Sequence, residues 1–206
     1  VLGGSRGLGE VSGKLLAAGG AHVVISYFIG SEEAHSIVEE INQEGGKAIC
    51  LPFNVLSQNF FKKEDFGNGW SLTHVYYFAT PTISLGSKHS FSSSLFQKFC
   101  DYYVSGFFNT FQALKSFESE LQGFFYPSTV AVSDLPSNLA EYVAAKSSGE
   151  ALCDLLRKNN PSINIYSPRL PQTTTDQMAF FLPAYKQDPA PLMLESLRQF
   201  RDKKNL

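Results

Sequence analysis

The chain begins with a glycine-rich turn, Val1-Leu2-Gly3-Gly4-Ser5-Arg6-Gly7-Leu8-Gly9, which constrains the possible folds more than any other feature. Glycines at Gly3, Gly7 and Gly9 let the backbone of a strand-to-helix turn approach a bound group closely. The N–H groups at the start of the following helix, together with its dipole, attract a phosphate. The turn therefore predicts a dinucleotide-phosphate site in a parallel α/β fold. Only the apolar pair Val1-Leu2 precedes Gly3, so we expect the domain to lack the start of its first strand.

Strand-like and helix-like segments alternate along the rest of the chain. Apolar, β-branched runs predict strands at residues 22–27, 48–51, 73–79, 124–126 and 163–166. Helical periodicity and helix-end signals, such as an N-cap at Ser31, predict helices at residues 8–18, 31–45, 91–121, 138–159 and 191–203. This alternation predicts one domain over residues 1–206: an α/β, Rossmann-like, doubly wound parallel sheet in a three-layer α-β-α arrangement, with strand order 3-2-1-4-5-6. We expect its last strand to be missing, because the tail is short.

Charge and composition argue against several classes of partner. The net charge of −2 gives no reason to expect nucleic acid or an anionic membrane as partner. No apolar run in the sequence reaches the ~18–20 residues that span a bilayer. The three cysteines, Cys50, Cys100 and Cys153, are widely spaced and form no Cys-x-x-Cys pair. We therefore expect free thiols, a cytoplasmic location and no metal site.

Aromatic residues form a stripe along the longest predicted helix, residues 91–121. Three- and four-residue steps put its members on one helix face, and they are Phe96, Phe99, Tyr103, Phe107, Phe111 and Leu114. We expect this stripe to form core. Gly106 interrupts it at a cost of about 1 kcal/mol relative to Ala, which predicts close packing or a bend. A second face, with Tyr102, Val104 and Phe108, is left to contact a partner.

A tyrosine and a lysine stand four residues apart on the predicted helix 138–159. Tyr142 and Lys146 therefore share a helix face. An ammonium held near a phenol lowers the pKa of the phenol, which makes it a better proton donor or acceptor near neutrality. Ser128 and Thr129 come fourteen and thirteen residues before Tyr142, just after the fifth strand. A hydroxyl at that place can polarise a carbonyl.

Together these motifs resemble the short-chain dehydrogenase/reductase family, most closely the ketoreductase domains of multidomain synthases. Their order and spacing match along nearly the whole chain: Gly3-x-x-x-Gly7-x-Gly9, a Ser/Thr after strand five, and Tyr142-x-x-x-Lys146. The resemblance implies that Tyr142 donates the proton, that Lys146 holds the nicotinamide ribose and tunes Tyr142, and that a hydroxyl orients the substrate carbonyl. The family's spacing favours Thr129 for that hydroxyl, while residue type favours Ser128, so both remain candidates.

The same resemblance implies a hydride-transferring reductase of a small-molecule or carrier-bound ketone. Its cofactor is expected to contact Gly3, Ser5, Arg6, Gly7, Leu8, Gly9, Asn54, Val55, Ala79, Tyr142, Lys146 and Pro168. In this family the corresponding helices commonly join two subunits, so we expect a homodimer through helices 91–121 and 138–159, or an intramolecular pseudo-dimer. The loop from residue 168 to residue 183 is expected to act as a lid.

Two local features favour NADP(H) over NAD(H). Members specific for NAD place an acidic residue after the second strand, where it binds the ribose 2′-hydroxyl. Here that stretch is Tyr27-Phe28-Ile29-Gly30, with no acid to repel a 2′-phosphate. Arg6 lies inside the glycine turn, where the family's NADP users often carry a base.

Several positions depart from the family's pattern. The segment Tyr77-Phe78-Ala79-Thr80 stands where the family has Asn-Asn-Ala-Gly. Tyr103 aligns with an asparagine that supports a water relay, Asn54 with an aspartate near the adenine, and Arg169 with a glycine. These replacements favour an alternative hypothesis, in which the chain is a catalytically impaired NAD(P)-binding or scaffolding domain of a multidomain protein.

Overall fold

A parallel sheet runs through the centre of the computed structural model, which describes residues 1–57, 61–66, 70–88, 90–117, 120–173 and 188–202. Its strands are β1 (His22–Tyr27), β2 (Lys47–Pro52), β3 (His74–Tyr76), β4 (Gly123–Phe125) and β6 (Asn164–Tyr166). A short separate pair joins β5 (Ser128–Thr129) to β7 (Arg169–Leu170) in parallel. The helices are α1 (Gly7–Ala18), α2 (Ser31–Gln43), α3 (Ser93–Cys100), α4 (Phe107–Phe117), α5 (Ala131–Asp134), α6 (Ala140–Asn159) and α7 (Pro189–Asp202).

Leu2 joins the two halves of the sheet. β1 pairs with β2, β3 with β4 and β4 with β6, all in parallel. Leu2 forms parallel bridges to Ser26 on one side and to Tyr77 on the other. Its N–H donates to the Tyr76 carbonyl at 2.8 Å, and the Phe78 N–H donates to the Leu2 carbonyl at 2.8 Å. Counted with Val1-Leu2 as the first strand, the spatial order is the predicted 3-2-1-4-5-6.

Apolar side chains cover both faces of the sheet, as the three-layer prediction requires. On one face, α1 and α2 pack on β1 and β2 through Val23, Ile25, Ile37 and their neighbours, and α7 packs beside α1. On the other face, α3, α4 and α6 enclose the larger cluster. The stripe contributes Phe99, Tyr103, Phe107, Phe111 and Leu114 as buried residues, with Phe96 partly buried against them. The prediction that the stripe forms core is confirmed.

The predicted helix 91–121 is divided in three. A π-helical turn, Asp101–Gly106, connects α3 to α4. Gly106 ends this turn, and a Cβ there would lie 2.8 Å from the Asp101 carbonyl oxygen and 3.1 Å from the Tyr77 hydroxyl. Gly106 is therefore required by close packing, one of the two predicted reasons.

Other boundaries differ in smaller ways from the predictions. Ser31 is the first residue of α2 and not its N-cap; Gly30 occupies that position with φ 86°, a left-handed conformation that favours glycine. Residues 118 and 119 of the predicted helix 91–121, residues 174–183 of the predicted lid and residue 203 of the last predicted helix lie outside the described residues. Cys50, Cys100 and Cys153 are free thiols. Among the described helices, none is long and apolar enough to cross a membrane, and the described residues contain no cluster of His, Cys, Asp or Glu suited to a metal ion.

Candidate active site

The glycine turn lies at the carboxyl ends of the strands and is packed too tightly for side chains. Gly3 and Gly7 have φ of 72° and 58°. A Cβ on Gly3 would come within 2.9 Å of the backbone of Ala79, and one on Gly9 would collide with the Gly3 carbonyl oxygen. No side chain in the described part of the chain caps α1. The first N–H groups of α1 are thus left for a ligand, and this arrangement fits a pyrophosphate.

Two cavities flank this turn and share part of their walls. One, of about 350 Å³, is lined by Ser5, Asn54 and Val55 and fits the adenosine half of a dinucleotide. The other, of about 310 Å³, is lined by Leu8, Gly9 and the four predicted catalytic residues, Ser128, Thr129, Tyr142 and Lys146. Both cavities are lined by Gly3, Arg6, Phe78, Ala79 and Thr80. Of the predicted cofactor contacts, Gly7 and Pro168 line neither cavity.

Arg6 borders both cavities and is paired with an acidic side chain. Its guanidinium lies 3.6 Å from the Glu33 carboxylate in the first turn of α2, and both side chains are exposed to solvent. The same guanidinium packs over Gly30, where a Cβ would come within 2.7 Å of it. The sequence prediction counted the base at Arg6 and missed this partner, because the carboxylate comes from a different element.

Tyr142 and Thr129 form the pair that the family spacing favours. Tyr142, on α6, and Thr129, on β5, line the same cavity, and the Thr129 hydroxyl acts on the phenol of Tyr142. Thr129 Oγ1 also accepts the Ala131 N–H at 3.2 Å, which fixes the hydroxyl at the start of α5. Burial raises the pKa of Tyr142 to about 12, against the lowering effect of Thr129. Tyr142 is therefore a neutral phenol at pH 7 and carries the proton that a donor needs.

Lys146 lies on the same face of α6 as Tyr142 and contacts aromatic rings. Its Nζ donates to the Pro127 carbonyl at 2.7 Å and lies 4.1 Å from the ring centre of Tyr103 and 5.0 Å from that of Tyr126. Burial lowers the pKa of Lys146 to about 7, although Cys153 and Glu150 act to raise it. The expectation of a Tyr142 pKa lowered by this ammonium is wrong, because burial disfavours the charged form of both groups.

The Ser128 side chain takes part in an ionic network. Its hydroxyl donates to Glu150 Oε1 at 2.5 Å. The Arg169 guanidinium donates to both oxygens of Glu150, at 2.8 and 2.6 Å, and to Ser133 Oγ at 2.8 Å. Hydrogen bonds from Arg169 and Ser128 hold the pKa of Glu150 below its usual value in spite of partial burial. Pro168 lies behind this network, where its carbonyl accepts the Ser128 N–H at 2.8 Å.

The tyrosines near Lys146 satisfy carbonyls of the π-helical turn. The Tyr77 hydroxyl donates to the Tyr102 carbonyl at 2.7 Å, and the Tyr126 hydroxyl donates to the Tyr103 carbonyl at 3.1 Å. The Tyr103 hydroxyl lies 2.5 Å from Thr80 Oγ1. Turns of this kind occur frequently at functional sites, and here the turn brings Tyr103 into the wall of the catalytic cavity.

Comparison with known proteins identifies the family. The family model described as short chain dehydrogenase matches residues 1–176. The chain belongs to the short-chain dehydrogenase family. Within it, 55 residues are 44% identical to a 3-oxoacyl-[acyl-carrier-protein] reductase of Synechocystis, over 27% of this chain and 22% of that protein. A stretch of 55 residues is also 42% identical to an uncharacterized oxidoreductase of Methylorubrum extorquens, again over 22% of that protein. The aligned part thus spans about a fifth of each curated relative.

Solved structures of other proteins share the fold along the whole chain. An alcohol dehydrogenase from the archaeon Thermococcus sibiricus, complexed with 5-hydroxy-NADP, has a TM-score of 0.84 at 18% identity, over 100% of this chain and 91% of that one. The angucycline C-6 ketoreductase LanV with bound NADP also has a TM-score of 0.84, at 17% identity over 99% and 88%. A short chain dehydrogenase from Burkholderia cenocepacia in complex with NADP has a TM-score of 0.80 at 20% identity, over 99% and 89%. At these identities the likeness establishes the Rossmann-like fold.

This short-chain dehydrogenase differs from the sequence pattern of its family most clearly around Lys146 and Ser128. Tyr103 and Arg169, two of the departures read from the sequence, are the residues that contact Lys146 and Glu150. Sequence reasoning noted the bulk of both side chains and missed their partners. The spacing Tyr142-x-x-x-Lys146-x-x-x-Glu150 was the available signal for Glu150, because steps of four place all three residues on one face of α6.

Proposed function

We propose that this chain is an NADPH-dependent reductase that transfers a hydride to the carbonyl carbon of a ketone, with Tyr142 as proton donor. One observation carries the proposal: Tyr142 and Thr129 line the same cavity as Gly3 and Gly9 of the phosphate-binding turn. A nicotinamide held from that turn would reach the cavity that contains the donor. The family match supports this reading.

The chemistry proceeds with a balanced transfer of one hydride and one proton. NADPH held from the glycine turn would supply the hydride and would leave as NADP⁺. Thr129 orients the carbonyl by a hydrogen bond to its oxygen, and Tyr142 gives its phenolic proton to that oxygen as the alcohol forms. The phenolate then regains a proton from solvent. The charged form of Lys146, four residues away on the same helix face, favours the donation because it stabilises the phenolate that the donation leaves.

The cavity walls favour an uncharged, largely apolar ketone. The apolar part of the walls is formed by Ile83, Leu85, Val130, Pro136, Leu139, Leu170 and Pro171, and Asn138, Gln172 and Thr173 add polar groups. Asp134 also lines the cavity and disfavours an anionic substrate. Carrier-bound ketones remain a second form of presentation, supported by the partial similarity to an acyl-carrier-protein reductase.

The preference for NADPH is proposed from Arg6 and from the absence of an acid at Tyr27-Phe28, and the NADP-bound neighbours support it.

A homodimer through α3, α4 and α6 and a cytoplasmic location stay predictions. Exposed apolar side chains on those helices, Phe108 at 37% and Leu155 at 53%, support the first of these. Sedimentation velocity over a range of concentrations tests it.

The function is tested by nucleotide binding and by turnover. NADPH binding is titrated by its fluorescence, and its oxidation is then followed with apolar cyclic ketones, short polar ketones and ketoacyl thioesters. We expect Thr129→Val to lower kcat/KM for ketone reduction about 100-fold, because the hydroxyl that orients the substrate carbonyl is lost. Ser128→Ala, the matched control, should retain activity within about threefold, because its hydroxyl serves Glu150. Equal losses in the two variants would contradict the assignment.

A second candidate, nucleotide binding without turnover, is favoured by one observation. Lys146 donates to Pro127 and lies against two rings, and its pKa is lowered to about 7, so its charge is only partly retained at neutral pH. NADPH binding without oxidation by any ketone of the panel would favour this candidate. Failure to bind NADPH and NADH would exclude both.

A further inference from the structure

Lys146 is a buried amine whose surroundings are mostly aromatic. Its side chain is 7% exposed, and its Nζ has one hydrogen bond, to the Pro127 carbonyl. Within the part of the chain that the structure describes, it takes part in no ion pair. Glu150, the nearest acid on its own helix, is held by Arg169 and Ser128. The groups in direct contact with the Lys146 amine are therefore the Pro127 oxygen and two ring faces, while Glu150 and Cys153 favour its charged form without a hydrogen bond to it.

The Tyr103 ring is the closer of the two faces and is rigidly placed. Its centre lies 4.1 Å from Nζ, well within the distance at which a ring face attracts a cation. The ring stacks on Phe99 at 5.9 Å with an interplanar angle of 10°, and it meets the edge of the Tyr142 ring at 5.7 Å. The bond to Thr80 fixes its hydroxyl, and Tyr103 is 1% exposed.

The π-helical turn explains how a tyrosine reaches this place. The turn Asp101–Gly106 widens the helix by one residue, and its carbonyls at positions 102 and 103 accept bonds from tyrosine hydroxyls. Turns of this kind occur frequently at functional sites, and this one places the Tyr103 ring beside Lys146.

We propose that Tyr103 is a positioning residue for the reduction proposed above: the face of its ring stabilises the charged form of Lys146 and so keeps Lys146 able to assist Tyr142. This proposal rests on the proposed function for its consequence in turnover, but not for the contact itself. The other titratable groups that face Lys146 are Tyr142, Glu150 and Cys153 on α6 and Tyr126 after β4. Each of them is retained in the variants below.

The test changes the electron density of the ring and leaves its shape. Tyr103→Phe keeps the ring and removes the hydroxyl. Replacement of the same residue by 3,4,5-trifluorophenylalanine then weakens the attraction of the ring face for a cation at nearly constant volume. Protonation of Lys146 is measured in the intact chain by competitive acetylation over a range of pH, with mass spectrometry of the peptide that contains Lys146. Lys47, an exposed lysine of β2, is the internal reference.

We expect Tyr103→Phe to leave the equilibrium constant for protonation of Lys146 within about twofold. The fluorinated ring should lower it about tenfold relative to Phe, which corresponds to a contact of about 1.4 kcal/mol. An unchanged constant in the fluorinated variant would overturn the proposal. So would a loss in Tyr103→Phe as large as that of the fluorinated variant, because it would assign the effect to the hydroxyl.

A second readout separates this proposal from the proposed function. If the chain reduces ketones, the pH above which kcat/KM falls should move lower in the fluorinated variant and stay in place in Tyr103→Phe. A shift in acetylation without any ketone reduction would retain the contact and reject the reductase. Normal ketone reduction, with no shift in the acetylation constant of Lys146 or in the pH profile of kcat/KM, would reject the contact and retain the reductase.

Discussion

Replacement of Lys146 by methionine should stabilise the chain at neutral pH and not at alkaline pH. The pKa of Lys146 falls from its ordinary value of 10.5 to about 7 on folding, because burial disfavours the charge. Between these values the unfolded state binds more protons than the folded state, so the stability of the parent rises with pH across this window. At about 1.4 kcal/mol for each pKa unit, burial of the amine costs on the order of 4 kcal/mol at pH 7 and under about 1 kcal/mol at pH 10.

Methionine removes this cost and leaves the Pro127 carbonyl without its donor, a loss of about 1–3 kcal/mol. Lys146→Met should thus be more stable than the parent by about 1–3 kcal/mol at pH 7. This advantage should shrink by about 3 kcal/mol at pH 10, since the carbonyl contributes equally at both values. Urea unfolding at the two pH values measures the difference, with Lys47→Met on the exposed surface of β2 as control. An advantage independent of pH would refute the view that Lys146 sits in a dehydrated site.

Three further variants test nucleotide binding at the glycine turn and the two cavities beside it. Gly9→Ala would push a methyl group into the turn and should weaken NADPH binding about tenfold or more in a fluorescence titration. Gly45→Ala is its control, at a left-handed glycine with open space around it. It should lower the free energy of unfolding by about 1 kcal/mol and leave NADPH binding intact. Arg6→Ala should weaken NADPH about tenfold and leave NADH unchanged, and equal losses for both nucleotides would contradict a 2′-phosphate contact. Glu33→Gln, which releases Arg6 from its exposed ion pair, should tighten NADPH about threefold relative to NADH, whereas weaker NADPH binding would argue against competition for Arg6.

Much of the fold could be read from local sequence because local pattern and tertiary structure agree. β1 matches its predicted bounds, and α1, α2 and β2 agree within two residues. The glycine turn was also predictable, since close approach and positive φ both demand glycine. The π-helical turn at Asp101–Gly106 was not, because its residues carry the same helical periodicity as their neighbours, and the widening depends on hydroxyls from distant strands.

The residues of the candidate site could be predicted from the sequence, but their hydrogen-bond partners and pKa values could not. Sequence spacing found Tyr142, Lys146 and two adjacent hydroxyls, but could not choose between Ser128 and Thr129. In β5 these neighbours point to opposite sides, and the pairing of β5 with β7 brings Arg169 and Glu150 to the Ser128 side. The expected lowering of the Tyr142 pKa failed for a similar reason, since burial is a property of the assembled helices and sheet.

The central claim, that Tyr142 donates the proton in a nicotinamide-dependent reduction, is tested most directly by Tyr142→Phe. The measurement is kcat/KM for NADPH-dependent ketone reduction, made beside an NADPH titration of the same sample. The account predicts a loss of about 100- to 10,000-fold in kcat/KM, with NADPH affinity retained within about threefold. Full ketone reduction by Tyr142→Phe would contradict it.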